Sequence, residues 1–490
     1  MIWTLVLVPG IAGFLAFLLR SDRPRRILLL AAALAHAVLT AVVCLEGPQG
    51  LPGDWLRLDE LGVLFLPLTS ALFLAAAWYG VDYLAHEVHG PQRDPEEGAL
   101  FSNEPEAIFI GCLLFFLTTM TLVILSQHFG LLWVSVEATT LVSAPLIYFH
   151  RHHRSLEATW KYLLVCSVGI ALALLGTFLL ALAASRPGCE HVPLLVQRLM
   201  DDAGGLRAEW LKVAFVFFLI GYGTKMGLAP LHTWLPDAHS EAPSVVSALL
   251  SGALLNCAFL GILRVQQVCV AAGEGAFGRD LLVLFGLLSM GLAAVFILRQ
   301  PDFKRLLAYS SVEHMGIMAL GVGLGGVSAF GAFLHALNHS LTKGMLFLIA
   351  GNILVLYRTK AVADVRGVWR VLPVSGALWM LGFLALTGSP PFGPFLSEFT
   401  ILKGALEQGR GAVAVAYLFF LALAFVGMAS AILPMAQGAP REFSEKPSGE
   451  RLGSIVPPAL LGAFVLMLGV YVPEQLQTAI QTAARAVGGP

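Results

Sequence analysis

Runs of about twenty apolar residues follow one another along this chain, "AIFIGCLLFFLTTMTLVIL" at 107–125 and "IVPPALLGAFVLMLGVYV" at 455–472 among them. A helix rising 1.5 Å per residue needs a run of that length to cross the hydrocarbon of a bilayer. In lipid every backbone N–H and C=O must be satisfied within the segment, so such runs imply helices. With 57% hydrophobic and 12% charged residues over 490 positions, the chain reads as an integral membrane protein of the all-α class.

About fourteen spans are expected, near 2–19, 27–45, 61–84, 107–125, 127–149, 159–184, 211–235, 243–264, 281–299, 306–325, 327–357, 374–402, 411–435 and 455–472. The opening "MIWTLVLVPGIAGFLAFLLR" has no basic leader and is followed by "SDRPRR" rather than a cleavage site, so it reads as a retained first helix. The net charge of -1 and scattered basic residues point to no nucleic acid or other polyanion as partner. Cys44, Cys112, Cys166, Cys189, Cys257 and Cys269 stand singly, without ligand spacing, and read mostly as small buried hydrophobes.

Lysine and arginine in alternate loops test that segmentation, because a missed span would scramble the alternation. One set runs through Arg20–Arg26, Arg93, Arg151–Lys161, Arg299–Arg305, Arg358–Arg370 and Arg441–Arg451. The poorer set comprises Arg57, Arg186, Arg198, Arg207, Lys212, Arg264, Arg279, Arg410 and Arg485. The richer side is expected to be cytoplasmic, which leaves both termini on the periplasmic or outer side of the inner membrane. Lys225, Lys343 and Lys403 belong to neither set and fall within spans.

Two spans are interrupted. The seventh carries Gly227 and Pro230 in "KMGLAP", and the twelfth carries Pro390, Pro391 and Gly393 in "TGSPPFGPF". Such residues free backbone groups at depth, which is tolerated only where protein or water satisfies them. Each broken span is fourth in a set of five, spans 4–8 and 9–13, and an odd number gives the sets opposite orientation. Paired breaks of this kind point to two inverted five-helix repeats with an ion path near the midplane. The organisation expected is helices 1–3 over 1–106, a first repeat over 107–264, a second over 281–435, and a loop with helix 14 over 436–490.

A charge at the bilayer centre costs roughly 2.5–3.5 kcal/mol even on the lenient insertion scale, so ionisable residues there need a reason. Glu137 in span 5 and Lys225 in span 7 are both too deep to reach the headgroups, and as neighbours they would offset each other's desolvation. A pair like that can switch, its protonation depending on whether it is closed. In "HALNHSLTKGMLFLIAGN", His335, His339 and Lys343 recur at i, i+4 on one face of span 11. A metal half-site is the competing reading; the lysine and the lack of a nearby third ligand in the sequence favour a proton relay. Glu313 and His314 of span 10 form either an interfacial anchor or a further relay step, with Ser310 and Ser311 able to bridge. Glu398 and Lys403 follow the second break at i, i+5 and point to different sides, Asn256 of span 8 can hold water, and His232 and His239 flank the second half of span 7.

"GYGTKMGLAPLHTWLPDAHSEAPSVVSALLSG", "FKRLLAYSSVEHMG", "HALNHSLTKGMLFLIAG" and "GSPPFGPFLSEFTILKG" together resemble the antiporter-like subunits of respiratory complex I and of group 4 membrane-bound hydrogenases, from about span 4 to span 13. The wording "SVEHMG" and "GSPPFGPFLSEF" is most similar to the F component of hydrogenase-4-type, formate hydrogenlyase-like complexes. The resemblance implies the fourteen-helix fold with two discontinuous helices, Glu137 and Lys225 as the paired glutamate and lysine, His335, His339 and Lys343 as the relay, and Glu398 as the terminal group. Many complex I relatives carry a lysine where this chain has Asn256, so water or another residue must take that step. The chain resembles the shorter members, without a long lateral helix after span 14.

The function expected is a proton-translocating subunit with no redox centre of its own, since cysteine clusters and a nucleotide fingerprint are lacking. Fe–S, flavin or NiFe centres are expected in a peripheral redox arm, beside other membrane subunits. The alternative is a subunit of a multi-subunit Na+/H+ antiporter or of an ion-coupled inorganic-carbon uptake complex. A haem or quinone enzyme is disfavoured, because His335 and His339 share a helix face and cannot both ligate one haem axially.

Overall fold

The computed structural model describes residues 1–47, 54–87, 90–93, 98, 100–185, 193–439 and 449–489. The chain is helical almost throughout: α1 Ile2–Leu18, α2 Asp22–Leu45, α3 Gly62–His86, α4 Glu106–Leu125, α5 Phe129–Ile147, α6 His153–Ala184, α7 Ala208–Met226, α8 Leu235–Glu241, α9 Ser244–Ala271 with a π turn at Leu250–Leu254, α10 Gly275–Ile297, α11 Phe303–Leu324, α12 Gly326–Tyr357, α13 Pro373–Leu386, α14 Gly393–Glu407, α15 Gly411–Gln437, α16 Leu452–Val470 and α17 Glu474–Ala486. Ten of these are long and apolar enough to cross a membrane; α1 and α13 are apolar but shorter. The helices α7 and α11 fall outside that set of ten, and they are the ones carrying Lys225 and the Glu313–His314 pair. A two-residue antiparallel ladder, Gln92–Arg93 with Leu100–Phe101, decorates the loop between α3 and α4.

Several helices begin a turn or more before the apolar runs do. A capping box between His152 and Ser155 starts α6 at His153, and Asp302 caps α11 by accepting from the amides of Lys304 and Arg305. Polar first turns of this kind lie outside any apolar window. Helix α17 was not expected, because its apolar residues occupy one face only. Ile480, Ala483 and Ala484 are its buried positions, and it packs on α3 and α12.

Both interruptions are built alike. Gly227 takes φ +83°, its N–H donates to Thr224 and the N–H of Leu228 donates to the Gly223 carbonyl. At the second break Gly388 takes φ +63°, its N–H donates to Ala385 and the N–H of Ser389 donates to Leu384. These are two Schellman motifs, each satisfying carbonyls that a broken helix would otherwise orphan in hydrocarbon. A proline follows three residues after each glycine, at Pro230 and Pro391. Of the break residues named from sequence, Gly393 is the first residue of α14, and Gly388 opens the interruption instead.

Burial grades from centre to rim. The apolar stretch of α9 is buried along its whole length, whereas only 28% of that of α15 or α16 is covered within the chain. The α6–α7 contact is the closest of those that matter here: a Cβ at Gly221 would lie 2.7 Å from the Ala173 backbone nitrogen and from the Gly169 carbonyl. Gly221→Val is therefore expected to push α7 away from α6 and cost roughly 1–3 kcal/mol by overpacking. Thermal unfolding of the purified protein should show a lowered midpoint, while Gly411→Val, at a site with nothing within 4 Å, should not.

Ion pairs toward the ends of the helices respect the two-sided division of basic residues. Arg26 pairs with Glu106, Arg151 with Glu104, Lys161 and Arg305 with Asp237, Lys360 with Glu241, and Arg451 with Asp82, all on the basic-rich side. Arg264 pairs with Asp59, Lys212 with Glu274 and Arg410 with Asp280 on the other. No loop pair among the described residues crosses sides. Arg186, Arg441, Lys446 and Cys189 lie outside the described residues.

Candidate functional site

Lys225 occupies the last turn of α7 with no solvent exposure, and the glycine that ends the helix two residues later fixes where the ammonium goes. Its Nζ donates to Thr140 Oγ1 of α5 at 2.7 Å and to the Tyr162 hydroxyl of α6 at 2.6 Å, 4.5 Å above the same ring. Tyr162 is itself 2.6 Å from Ser143 Oγ. Glu137 does not pair directly with the lysine as its position in the sequence invites. Its Oε1 accepts from Ser167 of α6 at 2.7 Å, and its Oε2 makes a long 3.4 Å contact with Thr140. Helix α6 packs against both α5 and α7 and supplies both Ser167 and Tyr162, so Thr140 joins ammonium to carboxylate. A hydroxyl both donates and accepts, which makes it a bridge for a proton and not merely a spacer. Glu137 is half-buried and shares its helix face with exposed Val134 and Leu141, at the rim of the chain.

The second group is assembled by α11, α12 and α14. Lys343 Nζ donates to the Leu307 carbonyl at 2.7 Å and to Ser310 Oγ. His314 Nδ1 lies 2.7 Å from His335 Nε2, and His335 Nδ1 lies 2.9 Å from Ser397 Oγ, next to Glu398. Two imidazoles in that contact share one hydrogen, so tautomer exchange moves a proton from one helix to the other. His339 sits between, its ring 5.1 Å from that of His314. Glu313, His314, His335, His339, Lys343 and Glu398 are all buried. Glu398 fits because Gly388 has no side chain: a Cβ there would meet Glu398 Oε2 at 2.0 Å.

Between the groups lie neutral polar side chains on α9. Asn256 donates to Ser340 at 2.7 Å and to the Gly252 carbonyl within the π turn, and Ser251 Oγ meets Ser311 Oγ at 2.8 Å. Buried polar atoms without a protein partner gather here and around the second group: Asn256 Oδ1, Glu313 Oε2, both amide atoms of Asn338, both ring nitrogens of His239, and Glu398 Oε1. Buried groups of this kind are ordinarily satisfied by ordered water.

Not every residue singled out from sequence joins these groups. Lys403 is exposed and pairs with Glu407 at 3.7 Å, on the opposite side of α14 from Glu398. His232 is buried with its ring against those of Phe296 and Tyr309. Conversely, Lys304, counted among loop charges, is buried, and its Nζ donates to the Ala242 carbonyl at 2.5 Å. His239 is fully buried with its ring stacked on Phe347. The hydroxyls of Thr140, Tyr162, Ser167 and Ser397 escape sequence reading altogether, since nothing in their spacing distinguishes them from other helical hydroxyls, while Ser310, read as a bridge for Glu313 and His314, meets Lys343 instead.

Tyr162→Phe is expected to strip one acceptor from the buried ammonium and one partner from Ser143, at roughly 1–3 kcal/mol. Thermal melts of the purified protein would register the loss, and a midpoint equal to wild type would show that Tyr162 does not hold Lys225.

The fold has counterparts among known proteins. A 40% identical relative, hydrogenase-4 component F homolog from Methylacidiphilum infernorum, aligns over 73% of this chain and 74% of its own length. NADH-quinone oxidoreductase subunit N from Desulforudis audaxviator is 29% identical over 89% of this chain and 86% of its own. A chain of an archaeal membrane-bound sulfane sulfur reductase superposes with a TM-score of 0.87 at 20% identity, covering 100% of this chain and 98% of that one, a likeness of fold alone. The family described as NADH:quinone oxidoreductase/Mrp antiporter, TM, matches residues 126–425, which span Glu137, Lys225, the α12 residues and Glu398. The chain therefore belongs to the NADH:quinone oxidoreductase/Mrp antiporter transmembrane family.

Proposed function

We propose that this chain is a proton-translocating membrane subunit of a redox-driven complex, of the complex I or group 4 hydrogenase type, moving H+ through Glu137, Lys225, the His335–His339–Lys343 face and Glu398. The observation that carries the reading is the run of hydrogen bonds in which every group on this path except His339 and Glu398 meets a hydroxyl or another imidazole. Glu137 meets Ser167 and Thr140, Lys225 meets Thr140 and Tyr162, Lys343 meets Ser310, and His314 meets His335, which meets Ser397. His339 and Glu398, neither of which meets a hydroxyl or another imidazole, stand where water completes the line.

In this reading Asn256 replaces a charged step by orienting water together with Ser340. Glu137, at the rim among exposed apolar residues, faces a neighbouring membrane subunit, and electron transfer in a partner redox arm carrying the Fe–S, flavin or NiFe centres drives the cycle. The two Schellman breaks support the inverted-repeat reading of 107–264 and 281–435, and the one-sided ion pairs support placing the basic-rich face in the cytoplasm, with both termini outside. The Mrp membership of the same family keeps a Na+/H+ antiporter subunit, or one of an inorganic-carbon uptake complex, as the second reading.

Reconstituting the intact complex in liposomes and following internal pH during redox turnover separates the two. Proton movement that persists unchanged without Na+ is the expected result; proton movement that appears only with Na+ and without any redox reaction favours the antiporter.

A further inference from the structure

We propose that His314, His335 and Glu398 form a binding site for a divalent metal ion of the zinc class, and that the bound ion closes this branch of the proton path. The first half stands on the geometry of the cluster; the second rests on the relay reading above.

One nitrogen from each histidine and one oxygen of the carboxylate lie within 4.8 Å of one another. The three side chains come from three packed helices, α11, α12 and α14, and are 1%, 0% and 7% exposed. Glu398 Oε1, fully buried, has no protein partner, so the site has donor capacity that the protein alone leaves unused. Two imidazoles and one carboxylate are a set that Zn2+ takes while keeping a fourth position open.

The support around the ligands is that of a metal site as well. Ser397 Oγ stands 2.9 Å from His335 Nδ1 and donates to the Pro394 carbonyl at 2.9 Å, which holds the ring with Nε2 turned toward His314. A ligating histidine ordinarily has its second nitrogen held in this way. At Zn–N distances of about 2.0–2.1 Å a tetrahedral ion keeps two nitrogens roughly 3.3 Å apart. The 2.7 Å between His314 Nδ1 and His335 Nε2 has to open by only a little over half an ångström, on the order of a side-chain adjustment. The ion then occupies the place of the hydrogen the two rings share. Lys343 is eight residues beyond His335, about 12 Å along the helix, with its Nζ directed to Leu307 and Ser310. The His335/His339 spacing on α12 is not the half-site used: the fold joins His335 to His314 of α11 and brings the carboxylate of Glu398 from beyond the second break.

The test uses the full-length purified chain, stripped of metal and titrated with Zn2+ by equilibrium dialysis. Expected are one Zn2+ per chain, a first shell with imidazole scattering by X-ray absorption on the wild-type protein, and affinity at least about tenfold weaker in His335→Gln and Glu398→Gln. A wild-type shell without imidazole, or unchanged affinity in both variants, overturns the site, and the wild-type spectrum decides even if a variant does not fold. In the reconstituted complex, Zn2+ is then expected to suppress proton movement. Zinc bound in the stated shell with undiminished pumping would overturn the closure while leaving the site; absence of zinc binding would leave the relay to be judged by the lysine variants below.

Discussion

Lys225→Met in the reconstituted complex is expected to lower redox-driven proton movement at least about tenfold, the scale on which removing a positioned proton-transfer group acts. The lysine is fully buried at the last turn of α7, and its ammonium is the link between the Thr140 bridge to Glu137 and the Tyr162–Ser143 pair. Methionine matches its length without a titratable group, so it leaves the α6–α7 packing in place and removes the proton carrier. Lys225→Arg sharpens the test. Arginine keeps the positive charge but cannot be deprotonated in a protein. A lysine present only to balance charge tolerates it in part, and a relay lysine does not. Lys403→Met, at an exposed ammonium paired with Glu407, is the control expected to pump as wild type does. Wild-type pumping by Lys225→Met, measured as internal pH change per redox turnover in complexes that assemble normally, would sink the relay.

Thr140→Val asks the companion question of how Glu137 and Lys225 communicate. The long 3.4 Å contact from Thr140 to Glu137 and the short 2.7 Å one from Lys225 show an arrangement in which carboxylate and ammonium are joined through a hydroxyl. A direct ion pair would be a fixed element, and its desolvation cost would be offset only in the closed state. A hydroxyl between the two can pass a proton either way, which is what a switching pair needs.

How much of this was legible in the sequence follows from the physics of each signal. The apolar helical class was legible because bilayer thickness sets run length, although ten helices meet that length where about fourteen spans were expected, and the breaks were legible because glycine and proline at depth have few other uses. Charged and imidazole residues in apolar runs were legible because each costs kilocalories to place there. Most of the hydroxyls that connect them, Thr140, Tyr162, Ser167 and Ser397, were not. Serine and threonine in a helix satisfy themselves on the carbonyl a turn back, as Ser143 does on Thr139 at 2.6 Å, so they carry no cost that a sequence would reveal. Gly388 was missed beside the more conspicuous Pro390, Pro391 and Gly393, although its φ of +63° starts the break and its bare Cα admits Glu398. Lys304 and Arg264 were taken for loop charges because each lies at the end of an apolar run, where sequence cannot tell a snorkelling side chain from a buried one.

Arg264 shows what that ambiguity hides. Helix α9 continues past it to Ala271, and the guanidinium is 0% exposed. It donates to Asp59 Oδ2 at 2.7 Å and Oδ1 at 3.3 Å, to Gln127 Oε1 at 3.2 Å and to the Ile124 carbonyl at 2.9 Å, so it ties α9 to the start of α3 and to the α4–α5 corner. Arg264→Met leaves Asp59 buried and unpaired, and breaking a buried pair from one side costs about 3–5 kcal/mol. The variant is expected to melt well below wild type in thermal unfolding of the purified protein. Replacing both partners, Arg264→Met with Asp59→Leu, removes the orphaned charge as well, and such replacements are often neutral. Most of the lost midpoint should therefore return. A double variant no more stable than Arg264→Met alone would mean that the guanidinium's bonds to Gln127 and Ile124, and not its pairing with Asp59, hold this corner together.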